Sequence, residues 1–174
     1  MELKTEKLKA VIGITNKTQD NMYIPFLDFD CDKIDFIPQL YCSIKDIQLK
    51  YDLGFAFVIS STNGYNVFFL DKMSFNDCLI VCENARFVDE NFKKYAKEKN
   101  NFTLRLGKDK KFMCIIKSYK YKNPLSFAHY SFFNEFFHVD ILNGYESSDL
   151  NFDNLQDIEF VKFMSKKYGY LTVD

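Results

Sequence analysis

Arginine is scarce in this 174-residue chain, with only Arg86 and Arg105, and acids and bases nearly cancel to a net charge of −1. A chain so balanced has no global basic field of the kind that advertises nucleic-acid binding, so any such contact must come from a local patch. No apolar run is long enough to span a bilayer and no secretory leader is visible, which predicts a soluble, cytoplasmic protein with no membrane partner. The five cysteines are odd in number and lack framework spacing, so they read as reduced thiols. Cys78 and Cys82 fall on one face of a predicted helix, but two sulfurs without a further Cys or His nearby make no zinc site and are read as core. Repeats, linkers and low-complexity tracts are missing as well, which predicts a single domain over residues 1–174.

Apolar side chains are plentiful, at 47% of residues with 18% aromatic, which is the composition of a chain that buries a core. Leu8 to Thr15 and Met22 to Asp30 read as two strands around a polar turn, making a hairpin. Leu40, Ile44, Ile47 and Leu53 suit one helix face, with Pro38 near its start and Gly54 at its close. The runs 55–61 and 65–70 flank Asn63-Gly64, the best short-range hairpin signal in the chain. Ser74 caps a helix through Cys82, and a second helix covers Val88 to Glu98 with Phe92 and Tyr95 inward. Residues 102–106 and 112–116 read as strands that pair across the turn between them. The aromatic stretch 125–137 is read as core, with Phe132, Phe133, Phe136 and Phe137 in a short helix, and Asp153 or Asn154 caps a final helix. The order predicts an α+β fold, a mostly antiparallel sheet with helices packed on one side.

Four stretches carry candidate chemistry. Tyr23 to Leu27 is an apolar run that ends in Asp28 and Asp30, one position apart. On a strand the period of two puts both carboxylates on one face and Phe29 on the other. Two carboxylates sharing a face repel each other and lose hydration, and a cation relieves both. One or two carboxylates, completed by water and phosphate, describe a Mg²⁺ or Mn²⁺ site. The same short pattern also ends ordinary strands as a solvated pair. In Ser60-Ser61-Thr62-Asn63-Gly64-Tyr65-Asn66, small hydroxyls and a glycine would let backbone N–H groups and side chains approach a phosphate, although a structural Asn-Gly turn reads the same way. Asp89 is a further acid, at a separation too long to place geometrically. Arg105 at mid-strand and Lys108 just past it offer a planar fork and a point charge to a phosphate, against the plainer reading of a solvated basic turn.

In this order the motifs resemble those of the archaeo-eukaryotic primase superfamily, in its small phage and plasmid type. Asp28 and Asp30 match the family's Asp-x-Asp at a strand end. Residues 60–66 are similar to its Ser-Ser-x-x-Gly-Tyr-His hairpin, with Asn66 where the family has histidine. Asp89 stands for the third acid, and Phe102 to Lys108 looks like the arginine strand that follows, so the resemblance covers roughly residues 22–117. It implies an RRM-like primase core and two-metal transfer of nucleotides from nucleoside triphosphates to a 3′-hydroxyl on a template. Asp28, Asp30 and Asp89 would be the catalytic ligands of Mg²⁺ or Mn²⁺, and Ser60, Ser61, Asn63, Gly64, Asn66, Arg105 and Lys108 would hold the nucleotide. The implied partners are nucleoside triphosphates, single-stranded DNA or a primer-template, and a replicative helicase. Asparagine hydrogen-bonds a phosphate but carries no charge. The alternative is therefore an inactive primase-fold protein that binds nucleotide or single strands in replication of a mobile element. Neither His129 nor His138 falls in that hairpin, and both are read as half-buried structural residues.

Overall fold

Two short antiparallel sheets and four α-helices make up the described part of the chain; the computed structural model describes residues 12–31, 33–107, 109–118 and 123–142, with a strand at 171–173. Strands β1 (Ile12–Thr15) and β2 (Phe26–Phe29) come first, followed by a 3₁₀ turn at Ile34–Phe36 and helix α1 (Ile37–Tyr51). Then come β3 (Ala56–Ser61), β4 (Gly64–Phe69), α2 (Phe75–Asn84) and α3 (Glu90–Lys99). The order closes with β5 (Thr103–Leu106), β6 (Lys111–Ile116), α4 (Phe127–Phe137) and β7 (Leu171–Val173). One sheet runs β2-β4-β3-β6 and the other β5-β1-β7.

Among the described residues the expected elements are present, but two expected pairings are not. The β1–β2 hairpin is reduced to a single bridge between Lys17 and Tyr23, because β1 pairs with β5 and β7 while β2 pairs with β4. Strands β5 and β6, expected to pair with each other, lie in different sheets, with β6 against β3. A polar turn signals a reversal, whereas long-range burial decides which edge each strand joins. Lys108 and the expected helix after Asp153 or Asn154 lie outside the described residues.

Helix ends follow their side-chain chemistry. Pro38 sits in the first turn of α1, where its missing N–H costs nothing, and Leu40, Ile44 and Ile47 face the core. Asp52 closes α1 in the left-handed region (φ 53°), so Gly54 is not the cap; its N–H donates to both oxygens of buried Asp71, at 3.1 Å each. Ser74 caps α2 by accepting from the Asp77 N–H at 3.1 Å, and Cys78 and Cys82 are buried beneath it. Tyr95 departs from expectation: it is 57% exposed, and Ala96 takes the inward place on α3.

The four-stranded sheet is covered on both faces, not on one. Phe26 and Phe57 register against Phe68, and Phe133 of α4 stacks on Phe68 with ring centroids 3.9 Å apart. Tyr65, of opposite parity on β4, meets Phe36 at the start of α1. Asn16 joins the two sheets: buried, it accepts from the Phe102 N–H and donates to the Ile24 carbonyl, each at 2.9 Å. His129 is buried in α4 with Nε2 2.9 Å from the Thr15 carbonyl, whereas His138 is exposed as the left-handed cap of the same helix.

Gly64 serves packing. The β3–β4 turn is Thr62-Asn63, closed by the Ser61–Gly64 pair, so the glycine belongs to the strand. A Cβ there would stand 2.0 Å from the Phe29 carbonyl oxygen, which is backbone and cannot swing aside. Gly64→Ala is therefore expected to lose about 1–3 kcal/mol in urea unfolding, the cost of overpacking a tight site. Gly107→Ala, whose Cβ would meet only the Asp109 carboxylate at 3.1 Å, should stay within about 0.5 kcal/mol of wild type. Equal losses at the two positions would refute the close approach of β4 to Phe29.

Candidate functional site

Two residues beyond Phe26 and Phe68 on the same sheet face, Asp28 and Asn66 stand opposite each other in the β2–β4 ladder. There the face opens into a cleft of about 320 Å³. Helix α3 forms one wall with Asp89, Phe92 and Tyr95, and β5 with its flanks forms another with Phe102, Thr103 and Arg105. Lys110 closes the rim ahead of β6.

Asp89 reaches this place through a turn that the sequence did not announce. After α2, Phe87 takes a left-handed conformation (φ 70°), uncommon for an aromatic residue, and its ring packs edge-on against Phe36 at 5.8 Å. The chain then returns to β2, where the Asp89 N–H donates to the Asp28 carbonyl at 2.8 Å. Asp89 also caps α3, accepting from the Phe92 N–H at 3.1 Å. One backbone bond thus sets the third acid beside the first.

The polar side chains form a chain of bonds. Lys110 Nζ donates to Asn66 Oδ1 at 2.6 Å, and Asn66 Nδ2 donates to Asp28 Oδ1 at 3.0 Å. Burial pushes the Asp28 carboxyl up to about 6; the charge of Lys110 opposes this, and the charges of Asp89 and Asp30 add to it. Burial likewise lowers the Lys110 ammonium, against the pull of Asp109 and Asp28. Two mutually repelling acids in a half-closed cleft, faced by cations, make an arrangement that accepts either a metal ion or a phosphate.

Of the residues singled out from sequence, Asp28, Asn66, Asp89 and Arg105 line this cleft. Asp30 lies just past the end of β2, exposed and outside the lining, although its charge is felt at Asp28. Ser60 does not reach the cleft: it registers with Tyr65, on the face opposite Asn66, and its hydroxyl donates to the Lys111 carbonyl at 3.4 Å. Ser61 donates to the Gly64 carbonyl at 3.1 Å, and Asn63 in the turn and Gly64 at the start of β4 lie outside the lining. Sequence reasoning missed Lys110. The basic turn after Arg105 was visible, but which of its lysines faces inward depends on the turn itself.

Among the described residues, no group of three or more His, Cys, Asp or Glu side chains is placed to hold a metal ion alone. Asp28 and Asp89 leave most of a coordination shell to water and to an incoming phosphate, which is how Mg²⁺ and Mn²⁺ usually bind beside substrate. The raised carboxyl of Asp28 fits that use, because a bound cation offsets first its burial and then the repulsion from Asp89 and Asp30. Compared with protein-family models, with curated proteins and with solved structures, the chain finds no match.

The same burial makes Asp28 a stability cost. Its folded value of about 6 lies above the ordinary 3.8, so the stability it contributes is complete below about 4 and is lost as pH rises through 6. His129 works the other way: burial lowers it from 6.5 to about 4, and its contribution is lost as pH falls across that window. Comparing wild type with Asp28→Asn in metal-free buffer cancels the histidine. The variant should be more stable by about 2–3 kcal/mol at pH 8, with the gap closing towards pH 4, in urea unfolding. A gap that does not change with pH would contradict the burial of this carboxylate.

Proposed function

We propose that the cleft is the active site of a minimal nucleotidyltransferase of primase type, which adds nucleotides from nucleoside triphosphates to a 3′-hydroxyl on a template. One observation carries the proposal. Asp28 from β2, Asn66 from β4, Asp89 from the cap of α3 and Arg105 from β5 are far apart in sequence yet line a single cleft. All four belong to the motifs that carry the primase resemblance, and a solvated strand end with a plain hairpin gives no reason for them to meet.

The residues divide by chemistry. Asp28 and Asp89, with Asp30 just outside, would hold Mg²⁺ or Mn²⁺, which activates the attacking hydroxyl and steadies the departing pyrophosphate. Arg105 forms no salt bridge with a described residue, so its guanidinium is available as a planar fork for phosphate oxygens. Lys110 supplies a point charge beside Asn66, where the family histidine would stand. Asn66 holds Lys110 and Asp28 in register with one amide. Positioning and charge neutralisation of this kind carry most of the catalysis in phosphoryl-group chemistry.

A second reading has its own observation. Both ends of the Asn66 amide are already engaged by the protein, which suits a primase-fold module that binds nucleotide or single strands without turnover. Primer extension with Mn²⁺ separates the two. Wild type should extend a primed template, and Asp28→Ala should lower extension by at least about a hundredfold, the scale of losing a charge that acts only in the transition state. Binding of nucleoside triphosphate with no extension by wild type would leave the binding module. Extension undiminished in Asp28→Ala would remove this cleft from the chemistry.

A further inference from the structure

The α3 wall of the cleft, beyond Asp89, is also built for a ligand. On α3, Asp89, Phe92, Tyr95, Ala96 and Lys99 recur at spacings of three and four and share one helix face, and all five line the cleft. Tyr95 lies six positions past Asp89, about 9 Å along the helix axis. Arg105 and Lys110 line the same cleft, so a ligand with its phosphates at those cations can extend its distal end to Tyr95. This ring is 57% exposed and makes no ring contact with another described aromatic, although the core of the molecule is dense in stacked phenylalanines. Lys99 and Asn101 stand beside it on the cleft wall. A flat aromatic face next to polar side chains, at the far end of a cationic and acidic cleft, suits a nucleobase.

We infer that Tyr95 is the base-stacking platform of the cleft and that the ligand class is one nucleoside triphosphate, held with its base on Tyr95 and its phosphates at Arg105 and Lys110. The inference rests on the nucleotide reading given above. The cleft volume, about 320 Å³, is at the low end for small-molecule sites, the scale of a single nucleotide. Stacking is tolerant of base identity, so the site should accept all four common bases with modest preference.

The chain contains no tryptophan, so Tyr95→Trp installs a single reporter at the platform. Titrated with each of the four common nucleoside triphosphates in Mg²⁺, Tyr95→Trp should lose emission on binding. Inorganic tripolyphosphate should displace the nucleotide and restore that emission without quenching by itself. In calorimetry, Tyr95→Ala should weaken nucleoside triphosphate by about 5- to 150-fold, the range for loss of one stacked base, and leave tripolyphosphate unchanged. Tyr95 is exposed, so neither variant threatens the fold. Equal nucleotide affinity in wild type and Tyr95→Ala, with tripolyphosphate still bound, would overturn the platform and spare the phosphate end. Failure of wild type to bind either probe would overturn the nucleotide reading and the platform with it.

Discussion

A carboxylate drawn out of water must be answered by its neighbours, and Asp28 imposes that condition on everything around it. Its backbone is fixed in the ladder opposite Asn66, so its Cβ is held on the cleft face of the sheet. Asn66 answers with a hydrogen bond and Lys110 with its nearby charge, while Asp89, arriving on the Asp28 carbonyl, adds a repelling one. A structure selected for stability alone would put an amide or a leucine at position 28. An acid kept where burial and two other acids oppose its ionisation is what the proposed site would require.

The rest of the fold holds that arrangement rigid. Phe133 on Phe68 seals one end of the sheet face and leaves the other end to Asp28 and Asn66. Asn16 ties the entry of β5 to the entry of β2, which sets Arg105 across the cleft from Asp28. Gly64 lets β4 lie against the Phe29 carbonyl, one residue from the acid. Deep in the core, His129 ties α4 to β1 as an uncharged ring, a structural use of a residue whose chemistry elsewhere is often catalytic. No helix among the described residues is long and apolar enough to cross a membrane.

Local chemistry was legible in the sequence and long-range pairing was not. Caps and faces were readable because they depend on neighbours a few positions away: Ser74 at the start of α2, Cys78 and Cys82 inside it, and the four phenylalanines of α4. Strand partners depend on which edge buries most, so the expected hairpins of β1 with β2 and of β5 with β6 failed together. The site divided in the same way. Asp28, Asn66, Asp89 and Arg105, picked out by their order along the chain, line one cleft. Ser60 was misplaced because parity along β3 turns it to the other face, and Lys110 was passed over because a basic turn does not declare which lysine points inward. Tyr95 was assigned to the core by helical periodicity, a rule that cannot tell a buried face from the wall of a cleft.

If Asp28 and Asp89 share a metal with a bound triphosphate, a crystal soaked with Mn²⁺ and a non-hydrolysable nucleoside triphosphate will show it. The expected result is anomalous manganese density between those two carboxylates, with phosphate oxygens completing the shell and reaching Arg105 and Lys110. Manganese and nucleotide bound elsewhere on the molecule, with the cleft holding only water, would contradict it.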